Sequence, residues 1–512
     1  MLTLCLIILV LTLVGFIVNW IRKVHLFWEK KGIKHLKPSF LFGNSLPVLL
    51  NKKSISEQFI DLCKTYPNEP LLGHYDFLKP SLIVQDADYA EKILIKDFLH
   101  FTDHGMEVNE DKNPIDAQLF TMCGKKWRAF RYKLSPIFTS GKLKNMFDTM
   151  AVFGDRLVNL LSTKKEYKKV NLREAMSSLS MDIIASTVFG IETNVLENPD
   201  SEFRKMGKKV FDFGIVGFIK IWIIMSFPGL GKKLGVSINN KDVVQYFTDI
   251  IKKTFSHRRK NNIHRNDFVQ MMIQLQDKGH IEVRNWDAND DYLKTDEDSN
   301  MNVDSYEITE NVVIAQAFTF LTTGLDTIGI GQTYLLYELA LQADIQDRVR
   351  EEIFEQCKIH GGLNYDSLKA MTYLEKCLKE SLRLHSTPQL FRICNKNYTF
   401  PNGYTIKKGE TIQIAVSAIH RNPDYHPDPE VFKPERFDNL MRPGVWLSFG
   451  EGPRVCIAMR FALLQVKFGV ARMLMKYRLS INPETKLPVE VLPQSVVLEP
   501  KYPIYFDLEE VS

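Results

Sequence analysis

Cys456, one of seven cysteines, lies between a glycine-rich loop and a helical pattern, and this placement makes it a candidate metal ligand. The preceding segment, Phe-Gly-Glu-Gly-Pro-Arg-Val at 449–455, contains two glycines that permit positive φ values in a tight loop. Apolar residues follow at helical spacing from 458 to 473. We therefore expect Cys456 at a helix N-terminus, where the dipole and free N–H groups lower the pKa of a thiol. The competing interpretation is a buried structural cysteine, the commoner role of a lone cysteine.

The same segment resembles the haem-binding signature of the cytochrome P450 family, Phe-x-x-Gly-x-Arg-x-Cys-x-Gly. Phe449, Gly452, Arg454 and Cys456 occupy its fixed positions, and Ala458 replaces the final glycine. The resemblance implies that Cys456 is the axial thiolate ligand to the iron of haem b. It also implies that family's fold, which is mainly α with small β-sheets: a single large haem domain behind an N-terminal transmembrane helix.

Two further motifs match the family in order and spacing. Glu380 and Arg383 stand three residues apart in a helical pattern, where side chains meet. Such a pair carries no weight alone, because surface ion pairs are common and weak. Arg436 follows in the segment Lys-Pro-Glu-Arg-Phe at 433–437. The resemblance implies that these three residues form a buried triad beneath the haem.

A long helical pattern from 310 to 341 contains the candidate oxygen-binding residues. Gly324 in a helix interior costs about 1 kcal/mol against alanine, so we expect it to allow close approach to a ligand. The resemblance implies that Asp326 and Thr327 supply an acid and a hydroxyl that relay protons to bound O2. The sequence departs from the family at Thr323, where alanine or glycine is usual, and at Ile328, where threonine or serine is usual. Since Thr327 is retained, we still expect oxygen insertion.

Cations are expected at two places near the haem propionates. The resemblance assigns this role to Trp127 with Arg131, and to Arg392. A routine surface arginine is the alternative for each. Four further basic residues are predicted to form a face that docks an electron donor, with an ordinary solvated surface as the alternative: Lys125, Lys126, Arg128 and Lys467.

The composition indicates a large globular chain. The 512 residues are 45% hydrophobic and 25% charged, and no linker or internal repeat divides them. The net charge of +5 is nearly balanced, so no nucleic-acid partner is expected. The scattered, odd number of cysteines argues against a disulfide framework and favours a reducing compartment.

The N-terminus predicts a membrane anchor. Residues 2–21 are almost continuously apolar, long enough to span a bilayer as a helix, and positive charges follow them. A cleaved signal peptide would carry positive charge before the apolar run instead. We expect an anchor at 1–21, a basic, turn-rich hinge at 22–47 and the haem domain at 48–512, in the cytoplasm on the endoplasmic reticulum membrane. An apolar stretch at 211–230 indicates either a second membrane-touching surface or a pair of core helices.

The resemblance implies a monooxygenase that inserts one oxygen atom from O2 into a lipophilic small molecule. The chain has no glycine motif for binding a flavin or nicotinamide, so electrons should come from NADPH through NADPH-cytochrome reductase, alone or with cytochrome b5. Segments 34–38 and 101–104 resemble the insect microsomal, detoxification-type branch. Two other classes remain open: a haem-thiolate isomerase or dehydratase, and a haem sensor or carrier without catalysis.

Overall fold

The computed structural model describes residues 2–106, 108–163, 167–210, 212, 216–217, 219–220, 223–224, 227–237, 239–282, 305–493, 495 and 497–511. The predicted mainly helical fold with small sheets is confirmed. The described helices, in chain order, are α1 (Leu2–His25), α2 (Phe27–Lys30), α3 (Leu46–Leu49), α4 (Ile55–Thr65), α5 (Ala87–Glu91), α6 (Gly124–Leu134), α7 (Ser140–Ser162), α8 (Leu172–Ile184), α9 (Glu202–Lys209), α10 (Pro228–Leu234), α11 (Lys241–Lys260), α12 (Phe268–Lys278), α13 (Glu310–Leu341), α14 (Ala343–His360), α15 (Tyr365–Ala370), α16 (Thr372–Leu384), α17 (Val416–Ile419) and α18 (Met459–Lys476).

The described strands form four small sheets. The strands are β1 (Leu71–Asp76), β2 (Lys79–Val84), β3 (Val170–Asn171), β4 (His280–Glu282), β5 (Ser305–Glu307), β6 (Leu390–Ile393), β7 (Tyr398–Thr399), β8 (Thr405–Ile406), β9 (Thr411–Ile414), β10 (Tyr477–Ile481) and β11 (Tyr505–Glu510). The largest sheet has the strand order β1-β2-β9-β6, with β2 and β9 parallel and the other pairs antiparallel.

The long helix α13 runs through the core. Thr309 caps it, its side chain accepting a hydrogen bond from the N–H of Val312. The helix is apolar on nearly all sides, as expected of a helix buried all round. Gly329 brings it against α8, because a Cβ there would lie 2.7 Å from the Cα of Ser177. Close packing at this glycine fixes how α13 crosses α8.

The apolar helix α1 differs from α13 in its surroundings. Both are long and apolar enough to cross a membrane, but 78% of the apolar window in α13 is buried inside the protein against 6% in α1. The helix α1 ends at His25, beyond the predicted limit of the anchor. Trp28, within the predicted hinge, is fully buried and donates from its indole nitrogen to the carbonyl oxygen of His74 at 2.9 Å. Part of the predicted hinge therefore packs into the folded body.

The apolar stretch at 211–230 is only partly described, and much of it lies outside the described residues. Within the described part, Val216, Ile219 and Leu230 expose large apolar side chains. The ring of Phe227 stacks on that of Trp20 in α1, with centroids 6.2 Å apart. The stretch thus lies beside the apolar N-terminal helix.

Candidate active site

The loop before Cys456 is closed by its own backbone. The N–H of Cys456 donates to the carbonyl oxygen of Phe449 at 2.9 Å, and the N–H of Gly450 donates to that of Leu447 at 2.9 Å. Gly452 has a φ of +69°, and a Cβ there would collide with the carbonyl oxygen of Leu94. Glycine is thus required at 452 for two reasons: the positive φ of the loop and the close contact with the backbone at Leu94.

The helix after the loop starts later than predicted. Helix α18 begins at Met459, so Cys456 precedes its cap at Ala458 and does not open the helix. In the polypeptide alone, burial raises the pKa of Cys456, while the N–H of Ala458 and the charge of Arg131 lower it. The prediction of a lowered thiol pKa is therefore wrong for the protein without its metal. The side chain of Cys456 is nevertheless accessible to solvent, although enough protein surrounds it for burial to raise the pKa of its thiol.

Arg454 ties the loop to the segment at 117–122. Its guanidinium donates to the carbonyl oxygens of Thr102 at 2.8 Å and Met122 at 2.7 Å, and lies 4.0 Å from the centre of the Trp127 ring. Burial lowers the pKa of Arg454 to about 10, and Asp103 opposes this effect. Most of the hydrogen bonds of Arg454 are therefore made to backbone oxygens that hold the loop in place.

The segment at 117–122 also contacts α13. The N–H of Leu119 donates to Gln316 Oε1 at 2.8 Å, and Gln316 Nε2 donates to the carbonyl oxygen of Ala117 at 2.7 Å. The Nη1 of Arg454 donates to the carbonyl oxygen of Leu119 at 3.3 Å. A single loop therefore links the cysteine loop with the long helix, which sequence reasoning did not find because Gln316 belongs to no motif.

Arg392 and Arg131 each lie close enough to Arg454 for their charges to interact with it. Arg392, on β6, is fully buried; its Nη1 donates to the carbonyl oxygen of Phe391, and its Nε has no hydrogen-bond partner among the described residues. Burial, and then the charge of Arg454, lower the pKa of Arg392 to about 9. Arg131, on α6, donates to the carbonyl oxygen of Val455 at 2.7 Å.

A buried cation with an unpartnered N–H, beside a second cation, fits an anionic ligand. The carboxylates of haem b have this chemistry, and the thiol of Cys456 is a suitable iron ligand. The residues present therefore fit the cofactor that the resemblance implies. His104, which sequence reasoning did not assign to the site, lies here too: its Nδ1 donates to the carbonyl oxygen of Phe120 at 2.9 Å, and burial and then the charges of Arg392 and Arg454 lower its pKa.

The hydroxyls of α13 point back along the helix. Thr327 donates to the carbonyl oxygen of Thr323 at 2.8 Å, and Thr323 donates to that of Thr319 at 2.7 Å. Thr323 is exposed although it lies in the middle of a buried helix. A Cβ on Gly324 would collide with the side chain of Ile184 on α8. Ile184 of α8 therefore occupies space beside Gly324, and contact of this glycine with a ligand stays a prediction.

Asp326 is an ion-paired residue. Its carboxylate accepts two hydrogen bonds from Arg173 and one from the hydroxyl of Ser177. Although burial raises it, Arg173 holds the pKa of Asp326 below its usual value. Arg173 also donates to Glu499 at 2.6 Å. Neither Arg173 nor Glu499 belongs to a motif, so no sequence pattern predicted this cluster.

The structure brings Glu380, Arg383 and Arg436 together. Arg383 and Glu380 are fully buried and make two hydrogen bonds, of 2.8 and 2.9 Å. Arg436 Nε donates to Glu380 Oε1 at 3.1 Å, and the N–H of Lys433 donates to the same oxygen at 2.9 Å. Both oxygens of the glutamate are therefore used.

The predicted basic docking face is wrong. Lys467 is buried, with its Nζ 3.5 Å from Glu375, and burial lowers its pKa. Arg128 is also buried, and Lys126 pairs with Glu110 at 2.6 Å. Of the four residues only Lys125 is fully exposed. The error arises because the sequence does not reveal which side of α6 and α18 faces the core.

Known proteins resemble this chain along nearly its whole length. The profile of the family described as Cytochrome P450 matches residues 34–506. Cytochrome P450 6a2 of Drosophila melanogaster is 35% identical over 499 residues, 95% of either chain. Cytochrome P450 6A1 of Musca domestica is 34% identical over 95% of this chain and 94% of its own. Cytochrome P450 6k1 of Blattella germanica is 33% identical over 92% of this chain and 90% of its own. The chain therefore belongs to the cytochrome P450 family, in which haem b serves monooxygenation, and matches the insect detoxification-type branch.

Proposed function

We propose that this protein inserts one atom of O2 into lipophilic foreign compounds, using electrons that NADPH-cytochrome reductase, alone or with cytochrome b5, delivers from NADPH. The observation that carries the proposal is the arrangement around Cys456. Its side chain is accessible and lies near the charge of Arg131, and Arg131 and Arg392 each lie near the charge of Arg454. Bound haem supplies the activation of O2, which a cysteine thiolate ligand favours by donating electron density. Cys456 serves as that ligand.

The chain's own residues hold the cofactor. Arg392 offers its unpartnered Nε to one propionate, and Arg131 orients the loop through the carbonyl oxygen of Val455. Trp127 packs against the guanidinium of Arg454 and would hold that cation in place for a propionate. Phe449 closes the loop at Cys456, and the triad of Glu380, Arg383 and Arg436 supports the loop through His420.

Thr327 would pass on the protons. Its hydroxyl donates to the carbonyl oxygen of Thr323, so its oxygen can accept a hydrogen bond from water, and the hydroxyl must turn away from that carbonyl to donate its own proton. Asp326 orients the helix turn that carries Thr327 through its pairing with Arg173. The retained Asp-Thr pair favours monooxygenation over the alternative of a haem-thiolate isomerase or a haem carrier, because neither needs a proton path to O2.

The anchor α1 holds the protein on the endoplasmic reticulum membrane, with the folded body in the cytoplasm. The stacked pair of Trp20 and Phe227 supports a second membrane contact next to the anchor, formed by the exposed apolar side chains around 216–234. The electron donor docks near the cysteine loop. The exposed residues Lys133, two positions after Arg131, and Arg460, four after Cys456, are better candidates for this contact than the buried Lys467.

Turnover by the full chain in lipid vesicles tests the function. With reductase, NADPH and a panel of lipophilic compounds, we expect product and NADPH consumption in near-equal amounts. Thr327→Ala should consume NADPH with little product, whereas the matched control Thr333→Ala, which loses the same type of hydroxyl bond deep in the core, should stay coupled. A well-formed haem protein with no reductase-dependent product from any compound class would sink the proposal.

A further inference from the structure

His420 is a buried histidine whose two ring nitrogens both contact backbone. Its Nδ1 lies 3.0 Å from the carbonyl oxygen of Arg383, and the N–H of Leu447 donates to its Nε2 at 2.8 Å. A backbone N–H only donates, so Nε2 must be the acceptor and the single proton must sit on Nδ1. The contacts therefore fix both the tautomer and the neutral state of His420.

The two partners belong to different parts of the site. Arg383 is a member of the buried triad, and its Nη1 donates in return to the carbonyl oxygen of His420 at 2.7 Å. Leu447 begins the cysteine loop, where its carbonyl oxygen accepts from the N–H of Gly450. His420 is thus a bridge of two hydrogen bonds between the triad and the loop that presents Cys456.

The surroundings oppose a second proton on His420. Burial lowers its pKa well below the usual value, and His426, Arg383 and Arg421 lower it further. The His426 ring lies 6.3 Å away, and burial lowers its own pKa to about 4. Ser386 Oγ lies 3.4 Å from Nδ1. The nearby charged groups are therefore mostly cationic.

The carboxylate of the triad is already engaged. Glu380 accepts from Arg383, Arg436 and the backbone N–H of Lys433. Its oxygens cannot turn to a protonated histidine without breaking the triad. Protonation of Nε2 would also set an N–H against the N–H of Leu447, with loss of that hydrogen bond.

We propose that His420 is a positioning residue that fastens the cysteine loop to the triad through the Leu447 N–H, and that it does so only while neutral. The inference rests on the proposed role of Cys456 as iron ligand. Because the fold lowers the pKa of His420, its contribution to stability is complete above the unfolded pKa of about 6.5 and is lost as the pH falls through the lower folded pKa. Acid should therefore release the loop first at Leu447.

Two amide substitutions separate the two hydrogen bonds. The longer side chain of His420→Gln reaches the position of Nε2 and accepts from Leu447 without titrating. The shorter side chain of His420→Asn matches Nδ1 and reaches only the carbonyl oxygen of Arg383. Both are measured in the full-length, haem-loaded protein by amide hydrogen exchange at Leu447 and by the spectrum of the reduced carbon monoxide complex.

In His420→Asn we expect the protection of the Leu447 amide against exchange to fall about tenfold, because one hydrogen bond is lost. We also expect part of the thiolate band at about 450 nm to be lost. His420→Gln should keep both and resist acid better than the unchanged protein. The proposal would be overturned if the Leu447 amide in His420→Asn were as protected as in the unchanged protein. It would also be overturned if the acid midpoint of His420→Gln were the same as that of the unchanged protein. If neither variant folds, the unchanged protein decides: protection at Leu447 must fall with acid before that at Gly450, and simultaneous loss contradicts the bridge.

Failure of the iron-ligand assignment gives a different result. Cys456→Ala should lack the thiolate band at every pH while Leu447 keeps its protection. If Cys456→Ala keeps the band, the ligand assignment is wrong even if the amide at Leu447 still responds to His420. His426→Gln serves as the matched control, because His426 contacts the carbonyl oxygen of Val445 and no N–H of the loop. It should leave Leu447 protection unchanged at neutral pH.

Discussion

Arg173 and Asp326 form a two-point ion pair, with Nη1 3.0 Å from Oδ1 and Nη2 2.6 Å from Oδ2. The same Nη2 lies 2.6 Å from Glu499 Oε2, so one guanidinium joins α8, α13 and the C-terminal segment. Because Arg173 keeps Asp326 ionised, this carboxylate is suited to orient Thr327 and poorly suited to give up a proton itself. We predicted Asp326 as a proton-donating acid, and its ion pair favours a positioning role for it instead.

Asp326→Asn should destabilise the protein by about 1 to 3 kcal/mol, because an amide cannot replace the two-point pairing of a buried arginine. Glu499→Gln should cost less, since its side chain is 31% exposed and Asp326 still neutralises Arg173. Denaturant unfolding of the two variants measures the difference. Equal losses of unfolding free energy in the two variants would show that Asp326 is not the main partner that stabilises the charge of Arg173.

The stability supplied by Asp326 should also depend on pH. Its pKa is lowered in the folded state, so the contribution is present above the unfolded value of about 3.9 and is lost as the pH falls through the folded value. The difference in unfolding free energy between the unchanged protein and Asp326→Asn should therefore shrink in strong acid. A constant difference down to low pH would contradict the ion pair.

Cys456→Ala should abolish the band at about 450 nm in the reduced carbon monoxide complex, since no other thiolate would reach the iron. Cys123→Ala is a suitable control: Cys123 is also exposed, but burial raises its pKa to about 11. The control should keep the band. Survival of the band in Cys456→Ala would exclude this residue as the ligand.

Arg392→Gln should have opposite effects on the two forms of the protein. It removes a buried cation without a full set of partners, so the haem-free chain should become more stable. Haem should bind about tenfold more weakly or worse, because a charge-assisted hydrogen bond to a propionate is lost. Thermal unfolding without haem and haem transfer to an acceptor protein measure the two effects. Arg348→Gln, at an exposed ion pair with Glu435, should change neither.

Glu380→Gln should be the most damaging of these substitutions. It leaves Arg383 in the core without its counter-charge, and breaking a buried pair in this way costs about 3 to 5 kcal/mol. The neighbouring Glu435→Gln alters only partly exposed contacts and should cost less than about 1 kcal/mol. Yield of folded protein and unfolding by denaturant compare the two. A similar cost for both would remove the triad's structural role.

The sequence by itself determined the fold class, the family and the positions of the motif residues. Cys456, Arg454 and Phe449 lie in one short segment, and a short closed loop leaves little freedom in how they are arranged. The pair Glu380 and Arg383 is equally local, because three residues on a helix bring side chains together. The apolar run of α1 was also readable, since its length and composition suffice.

Only the tertiary structure decided what each residue faces. Burial of Lys467 and Arg128, the contact of Gly324 with Ile184 and the shared guanidinium of Arg173 all depend on elements far apart in the chain. A helical pattern tells which residues share a side, but the neighbouring helix decides which side is in the core. The same holds for Cys456: its loop could be read from the sequence, whereas its fastening through His420 to Arg383 exists only where three distant segments pack together.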